Sequence, residues 1–277
     1  MEFDDELLEI AVKRRSALER LAEDPHHRSE LEEELDLSKT TCHRIIQTFD
    51  ENHLLRRTDQ GYGLTEFGRV LYRQVSSFDE TIRAAYELRP ILDAFESAEV
   101  DFELGLFLDA EVIKPQPDDP TPPLQRYLEM FWDAETILTV DRTSFSPPLY
   151  IEEILERSLE DDRTGIAIYP KSVVERRYSE FPDPHRKAAE KGIPVYRIGD
   201  PVPFGMTIYD NEHVALRSYD DKTGALELFA HTDDPEAISW AEEVFEHYYE
   251  RSTLPSGFED FPDWIPESDG YNDILVD

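Results

Sequence analysis

The sequence predicts an α+β chain of two unequal parts, and three observations predict it. Apolar residues recur at helical spacing through most of residues 1–52 and lead into two short extended runs around a glycine turn. Strand-like and helical runs then alternate from residue 98 to residue 254. The charge also changes character along the chain: residues 1–97 hold 13 Lys+Arg and 22 Asp+Glu, whereas residues 98–277 hold 15 and 41.

Leu7, Leu8, Ala11, Leu18 and Leu21 mark a first amphipathic helix that Pro25 stops. Ser29, with Glu32 three residues on, reads as the capping box of a short second helix whose buried face is Leu31 and Leu35. Asp36-Leu37 makes a turn. Ser38 then caps a third helix in which Ile45, Ile46 and Phe49 face inward, leaving Lys39, Thr40, Thr41, His43, Arg44 and Gln47 on or near the outer face. Leu54 to Arg57, the turn Thr58-Asp59-Gln60-Gly61 and Tyr62 to Thr65 form a two-stranded ribbon, a wing with Arg56 and Arg57 beside Tyr62. Thr65 caps a long helix from Glu66 to about Arg89, striped with Phe67, Val70, Leu71, Val75, Phe78, Ile82, Ala85 and Tyr86, and such a stripe needs a partner. A short helix, a tight turn and a longer helix with polar and basic side chains in its first half is the geometry that enters a major groove.

The second part reads as an α/β domain. Strands are expected at Glu111–Lys114, Thr136–Val140, Gly165–Tyr169, Pro194–Ile198, Phe204–Tyr209, Val214–Ser218 and Leu226–Phe229. Helices are expected at Pro123–Trp132, Leu149–Leu159, Ser172–Tyr178, His185–Lys191 and Pro235–Arg251. Residues 256–277 hold 7 acids and no cation, which predicts a loosely held tail.

The total of 63 Asp+Glu against 28 Lys+Arg, a net charge of −35, repels phosphate and anionic lipid on average, so a nucleic acid can be met only through a local basic patch. Residues 38–73 supply one, with 6 cations, 4 anions, His43 and His53. The acid load itself, with 21 Arg and only 7 Lys, is that of a halophilic cytoplasm, where multimolar salt shrinks the Debye length to roughly 3 Å or less and removes most self-repulsion. One cysteine, Cys42, leaves no internal disulfide and no cysteine-built zinc site. The histidines have no companions at ligand spacing, so no metal or other cofactor is expected. No apolar run reaches the roughly 18 residues that span a bilayer, and no membrane partner is expected.

From Leu31 to Arg69 the run L-D-L-S-K-T-T, N-H-L-L-R-R and G-Y-G-L-T-E-F-G-R resembles the winged helix-turn-helix of archaeal transcriptional regulators. Phe204-Gly205-Met206-Thr207, and the stretch from His231 through Trp240-Ala241-Glu242-Glu243-Val244-Phe245 to Ser252, resemble the methanogenesis-regulatory-protein middle-domain family, in a TrmB-like layout. The resemblance implies a haloarchaeal, sequence-specific regulator. Its division would be a winged helix-turn-helix at 1–65, connecting and dimerisation helices at 66–97, an α/β regulatory domain at 98–254 and an acidic tail at 255–277.

The expected partners are double-stranded DNA and a second copy of the chain. DNA contacts fall to Ser38, Lys39, Thr40, Thr41, His43, Arg44, Gln47, Arg56, Arg57 and Tyr62, with Thr40 and Thr41 serving the cap as much as a base edge and Tyr62 as suited to packing as to DNA. An effector of unknown identity would lie beyond the carboxyl ends of the strands, near Arg142, Ser144, Tyr169, Lys171, Ser172 and Arg197. Domains of this layout resemble the phospholipase D fold, but here its catalytic motif is absent: His185-Arg186-Lys187 begins an H-x-K-x-x-x-x-D pattern that has Gly192 in place of Asp and no second copy. An enzyme is therefore not expected, and no catalytic residue is assigned. The alternatives are a phosphodiester-processing enzyme localised by its helix-turn-helix and a protein-interaction adaptor.

Overall fold

The computed structural model describes residues 5–143, 153, 164–190 and 196–255. Two compact units divide between Arg83 and Ala84, within a helix and ahead of the expected boundary near residue 97. Each is described by itself.

In the first unit the helix expected to run unbroken to Pro25 is two helices, α1 (Asp5–Lys13) and α2 (Arg15–Glu23), broken at Arg14 with φ −118° and ψ 24°. Ala11 and Leu18, seven residues apart on either side of the break, are both fully buried in one core. Next comes α3 (Arg28–Glu34), which starts one residue before Ser29: the capping carboxylate is Glu30, whose Oε2 accepts the His27 N–H at 2.6 Å. Asp36 turns the chain in the left-handed region at φ 49°. Ser38 caps α4 (Lys39–Glu51) as expected, its Oγ accepting the Thr41 N–H at 3.2 Å. The ribbon is β1 (Leu55–Thr58) paired antiparallel with β2 (Gly61–Leu64), and α5 (Glu66–Glu87) follows. The core of this unit gathers Leu18, Leu21, Leu31, Phe49, Leu54 and Leu64 from α2, α3, α4, β2 and the joint before β1.

The second unit is a seven-stranded mixed sheet between helices. Its strands are β3 (Glu111–Ile113), β4 (Thr136–Asp141), β5 (Thr164–Tyr169), β6 (Tyr196–Ile198), β7 (Gly205–Tyr209), β8 (His213–Tyr219) and β9 (Leu226–Thr232), in the order β3-β9-β8-β7-β4-β5-β6. β4, β5 and β6 are parallel neighbours, and the remaining pairs are antiparallel. The helices are α6 (Arg89–Phe95), α7 (Pro122–Asp133), α8 (Lys171–Glu180), α9 (Pro182–Glu190) and α10 (Pro235–Arg251). Residues 149–152 and 154–159 of the helix expected at Leu149–Leu159, and the tail at 256–277, lie outside the described residues. Leu138, Val140, Met206, Ile208, Leu216 and Ala230 form one sheet face, packed on α6 and α10. Because α6 belongs to this core, through Leu88, Ile91 and Phe95, it is part of the second unit and not a free connector.

Period-two alternation sends Thr139, Asp141, Thr207, Arg217 and Tyr219 to the other face. There Arg217 and Asp141, each 1% exposed, form an ion pair at 3.0 Å, and the Asp141 carboxylate also accepts the Tyr219 hydroxyl at 2.9 Å. Arg217 donates further to Thr207 Oγ1 at 2.8 Å. Burial raises the Asp141 pKa, with Arg217 and the Thr143 N–H pulling against it. Gly205 is paired opposite both Asp141 and Arg217, and a Cβ on it would run into the Asp141 carboxylate. Arg217→Met is expected to cost about 3–5 kcal/mol of stability by stranding a buried carboxylate. The double variant Asp141→Leu/Arg217→Met should recover most of that loss in urea unfolding.

Candidate nucleic-acid interface

α4 presents two faces of opposite kind. Cys42, Ile45, Ile46 and Phe49 are buried, while Lys39, Thr40, His43, Arg44 and Gln47 are exposed, one turn apart along the opposite side. Thr41 is half-buried and its hydroxyl lies 2.8 Å from Ser38 Oγ, so these two side chains are engaged at the cap. Gln47 Nε2 donates to Glu51 Oε1 at 2.9 Å, which orients its amide and leaves one N–H and the carbonyl oxygen toward solvent.

The ribbon is fastened to the helices at both ends. At its root Leu54 N donates to Phe49 O at 2.8 Å, and Thr65 Oγ1 donates to His53 O at 2.8 Å. His53 itself is left-handed at φ 58°, the conformation that ends α4 and reverses the chain. Near its tip, His26 and Tyr62 exchange two backbone hydrogen bonds at 2.9 and 2.8 Å, so the loop before α3 adds a third strand-like edge. Gly61 has φ +115° and a Cβ there would strike the His26 carbonyl, so only glycine fits. Arg56 Nε donates to Leu64 O at 3.1 Å, and the Arg57 guanidinium lies 5.8 Å from the centre of the Tyr62 ring, so Tyr62 both packs and props an arginine.

The ion pairs separate the cations of this unit into two sets. Lys13, Arg15, Arg20, Arg28, Arg69 and Arg83 each meet a carboxylate. Among the described residues Lys39 and Arg44 on α4, and Arg56 and Arg57 on β1, meet none, and of the remaining cations only Arg14 and Arg73 share that condition. In a chain with 63 acidic residues, a helix and ribbon whose cations have no carboxylate beside them keep positive charge available for an external anion.

The residues expected around an effector are not gathered in one place. Arg142 follows β4, bonded to Asp221 at 2.8 Å and 5.7 Å from the centre of the Tyr219 ring. Tyr169 ends the parallel neighbour β5, buried, with its hydroxyl pKa pushed up by that burial. Lys171 pairs with Glu175 at 3.3 Å at the start of α8, and Ser172 is exposed beside it. Arg197 points from β6 to the opposite face, where Nε donates to Ser252 Oγ at 2.6 Å and the guanidinium stacks 4.2 Å from the Tyr249 ring centre. Ser144 lies outside the described residues. The Asp141, Arg217 and Tyr219 cluster went unread in the sequence because its members stand 76 and 78 residues apart.

His185, the start of the partial phosphodiesterase pattern, is on α9 and 1% exposed, with Nδ1 2.5 Å from Phe181 O and its ring against Tyr178 and Tyr196. Burial lowers its pKa to about 4. Among the described residues no three His, Cys, Asp or Glu side chains come together to hold a metal, and no helix is long and apolar enough to cross a membrane.

Residues 4–87 match the family model of the HVO_A0261 N-terminal domain, and residues 120–251 match that of the methanogenesis regulatory protein FilR1, middle domain. No curated protein matches the chain. Among solved structures, TrmBL2, described as an archaeal chromatin protein with a novel mode of DNA binding, is 16% identical over 91% of this chain and 99% of that one, with a TM-score of 0.42. NucT from Helicobacter pylori is 14% identical over 52% of this chain and 97% of its own, with a TM-score of 0.38. Nuc from Salmonella typhimurium, a phospholipase D family member, is 14% identical over 52% and 96%, with a TM-score of 0.39.

Two outcomes are expected from these geometries. Gly61→Ala should destabilise the first unit by about 1–3 kcal/mol, measured by thermal unfolding. His185 is held neutral in the fold, so its contribution is present above pH 6.5 and is lost as pH falls toward about 4. His185→Leu should flatten that acid limb of a stability-versus-pH curve. The chain thus joins a unit matching the HVO_A0261 N-terminal family to one matching the FilR1 middle-domain family, as the resemblance carried by its sequence implies.

Proposed function

We propose that the chain is a sequence-specific, double-stranded-DNA-binding transcriptional regulator of a halophilic archaeon, acting in the cytoplasm as a homodimer. The single observation that carries the reading is the set of cations on α4 and β1 that have no carboxylate partner in so acidic a chain. In this mechanism α4 enters the major groove, where Arg44 and Gln47, one turn apart, address base edges and Lys39, Thr40 and His43 lie alongside. Arg56 and Arg57 on the wing meet phosphate or the minor groove. The Ser38 cap and the hydrogen bonds at His26, His53 and Thr65 hold the two reading elements in one frame.

The family match supports the same reading, since FilR1 is described as a methanogenesis regulatory protein. The second unit then dimerises or senses a signal, and an effector would be read at the carboxyl ends of β4 and β5, beside Arg142 and Tyr169.

Binding to genomic fragments in molar KCl tests the proposal. Arg44→Ala is expected to lose about 1–3 kcal/mol on the preferred site and to relax specificity, whereas Arg56→Ala weakens all sequences alike. With so few unpaired cations per copy, and each phosphate contact adding about −0.9 to the slope of log K against log salt, the salt dependence is expected to be shallow. Specific binding that is absent, or that survives both substitutions untouched, overturns the mechanism.

A further inference from the structure

His231 on β9 is a buried titratable side chain that the DNA-binding mechanism does not use. It is 7% exposed and stands directly opposite Glu111 on β3 and Ala215 on β8, so the three share the sheet face on which α7 packs. Its Nε2 lies 3.1 Å from Arg126 Nε, on α7, and 3.1 Å from Glu111 Oε2. The charged and titratable groups that face it are Glu111 of β3, Arg126 of α7 and His213 of β8. Three elements of the second unit thus meet at one ring nitrogen.

That nitrogen cannot serve both neighbours in one state, because a guanidinium only donates and a carboxylate only accepts. A neutral ring with its proton on Nδ1 offers the Nε2 lone pair to the Arg126 N–H. A charged ring has an N–H at the same atom, which donates to Glu111 and opposes the N–H of Arg126. Arg126 has a second place to go, since its Nη1 is already 3.3 Å from Glu129 Oε2, one turn along α7. Burial, with the Arg126 charge next, lowers the His231 pKa; Glu111 pulls it up and a charged His213 pulls it down. The resting state is therefore the neutral ring bonded to Arg126.

From this geometry we infer that His231 is a proton-operated latch: when neutral it fastens the Arg126 turn of α7 to the sheet edge, and when charged it gives its bond to Glu111 and releases that turn. The rest of α7 stays seated, because Tyr127, Met130 and Phe131 pack with Tyr209, Ala215 and Phe229. Tyr127, the next residue after Arg126, has its ring centre 5.9 Å from the Arg217 guanidinium, so a shift of the released turn is felt at the Asp141–Arg217 pair. Asp141 is the last residue of β4, at the end where the proposed function places an effector. Protons thereby become a signal for the sensing role of the second unit, and the latch itself does not depend on DNA binding.

Nitrogen-15 NMR of the full chain in molar KCl tests the latch through the ring tautomer and a pH titration. Neutral His231 is expected as the Nδ1–H tautomer, and as pH falls the amide resonances of α7 around Arg126 are expected to move with the same midpoint as the ring. Glu111→Gln, at an exposed side chain that leaves the fold intact, is expected to lower that midpoint by removing the acceptor of the charged form. Arg126→Gln is expected to raise it and to uncouple α7 from the ring. His231→Gln is expected to abolish the movement of α7, which separates the latch from His185, whose pKa is about 4. An Nε2–H tautomer in the neutral ring, α7 amides that stay still while His231 titrates, or α7 movement that survives His231→Gln overturns the inference. No readout involves DNA, so such a failure is distinct from failure of the regulator reading.

Discussion

Excess negative charge is the constraint under which every cation in this chain is placed. Each exposed Lys–Glu or Arg–Asp pair adds at most about 1 kcal/mol and less in strong salt, so the pairs matter less for stability than for which charges remain available. Where Arg20, Arg28 and Arg69 stand beside Glu23, Glu32 and Glu66, their fields are cancelled within the chain. α4 and β1 lack such neighbours, and a weakly basic surface persists on a strongly acidic molecule. Local composition, more than total charge, decides what such a protein attracts.

The second unit depends on the opposite treatment of charge. Asp141 and Arg217 are sealed inside the sheet, where each would be costly alone and where the Tyr219 and Thr207 hydroxyls add to their bonding. Room for the pair comes from Gly205, the residue that faces both of them from β7. The sheet thereby has a largely apolar face toward α10 and a polar centre on the other face.

What could be read from the sequence followed the range of the interactions. The cap at Ser38, the outward face of α4, the ribbon and the helix Pro235–Arg251 rest on contacts a few residues long, and each occurs where periodicity or a capping residue marks it. The break at Arg14 escaped because no glycine or proline announces it. The Ser29–Glu32 pattern was a false capping box, since Glu30 is equally placed to reach back to His27. Arg197 read as a ligand group because a lone arginine at a strand end carries no mark of the Ser252 and Tyr249 that hold it from more than fifty positions away. Pairing status among the cations was also invisible, because it depends on rotamers and not on counts.

The backbone bridge between His26 and Tyr62 has a consequence for how a duplex would be met. Many ribbons of this kind swing on their hinges, and such freedom lets a protein adapt to grooves of differing width. Here the tip is tied to the loop before α3 and the root to the end of α4, so helix and ribbon form one rigid gauge. The duplex, and not the protein, would then have to deform, and the stiffness of base steps between the two contacts would count toward selection even where no side chain touches them.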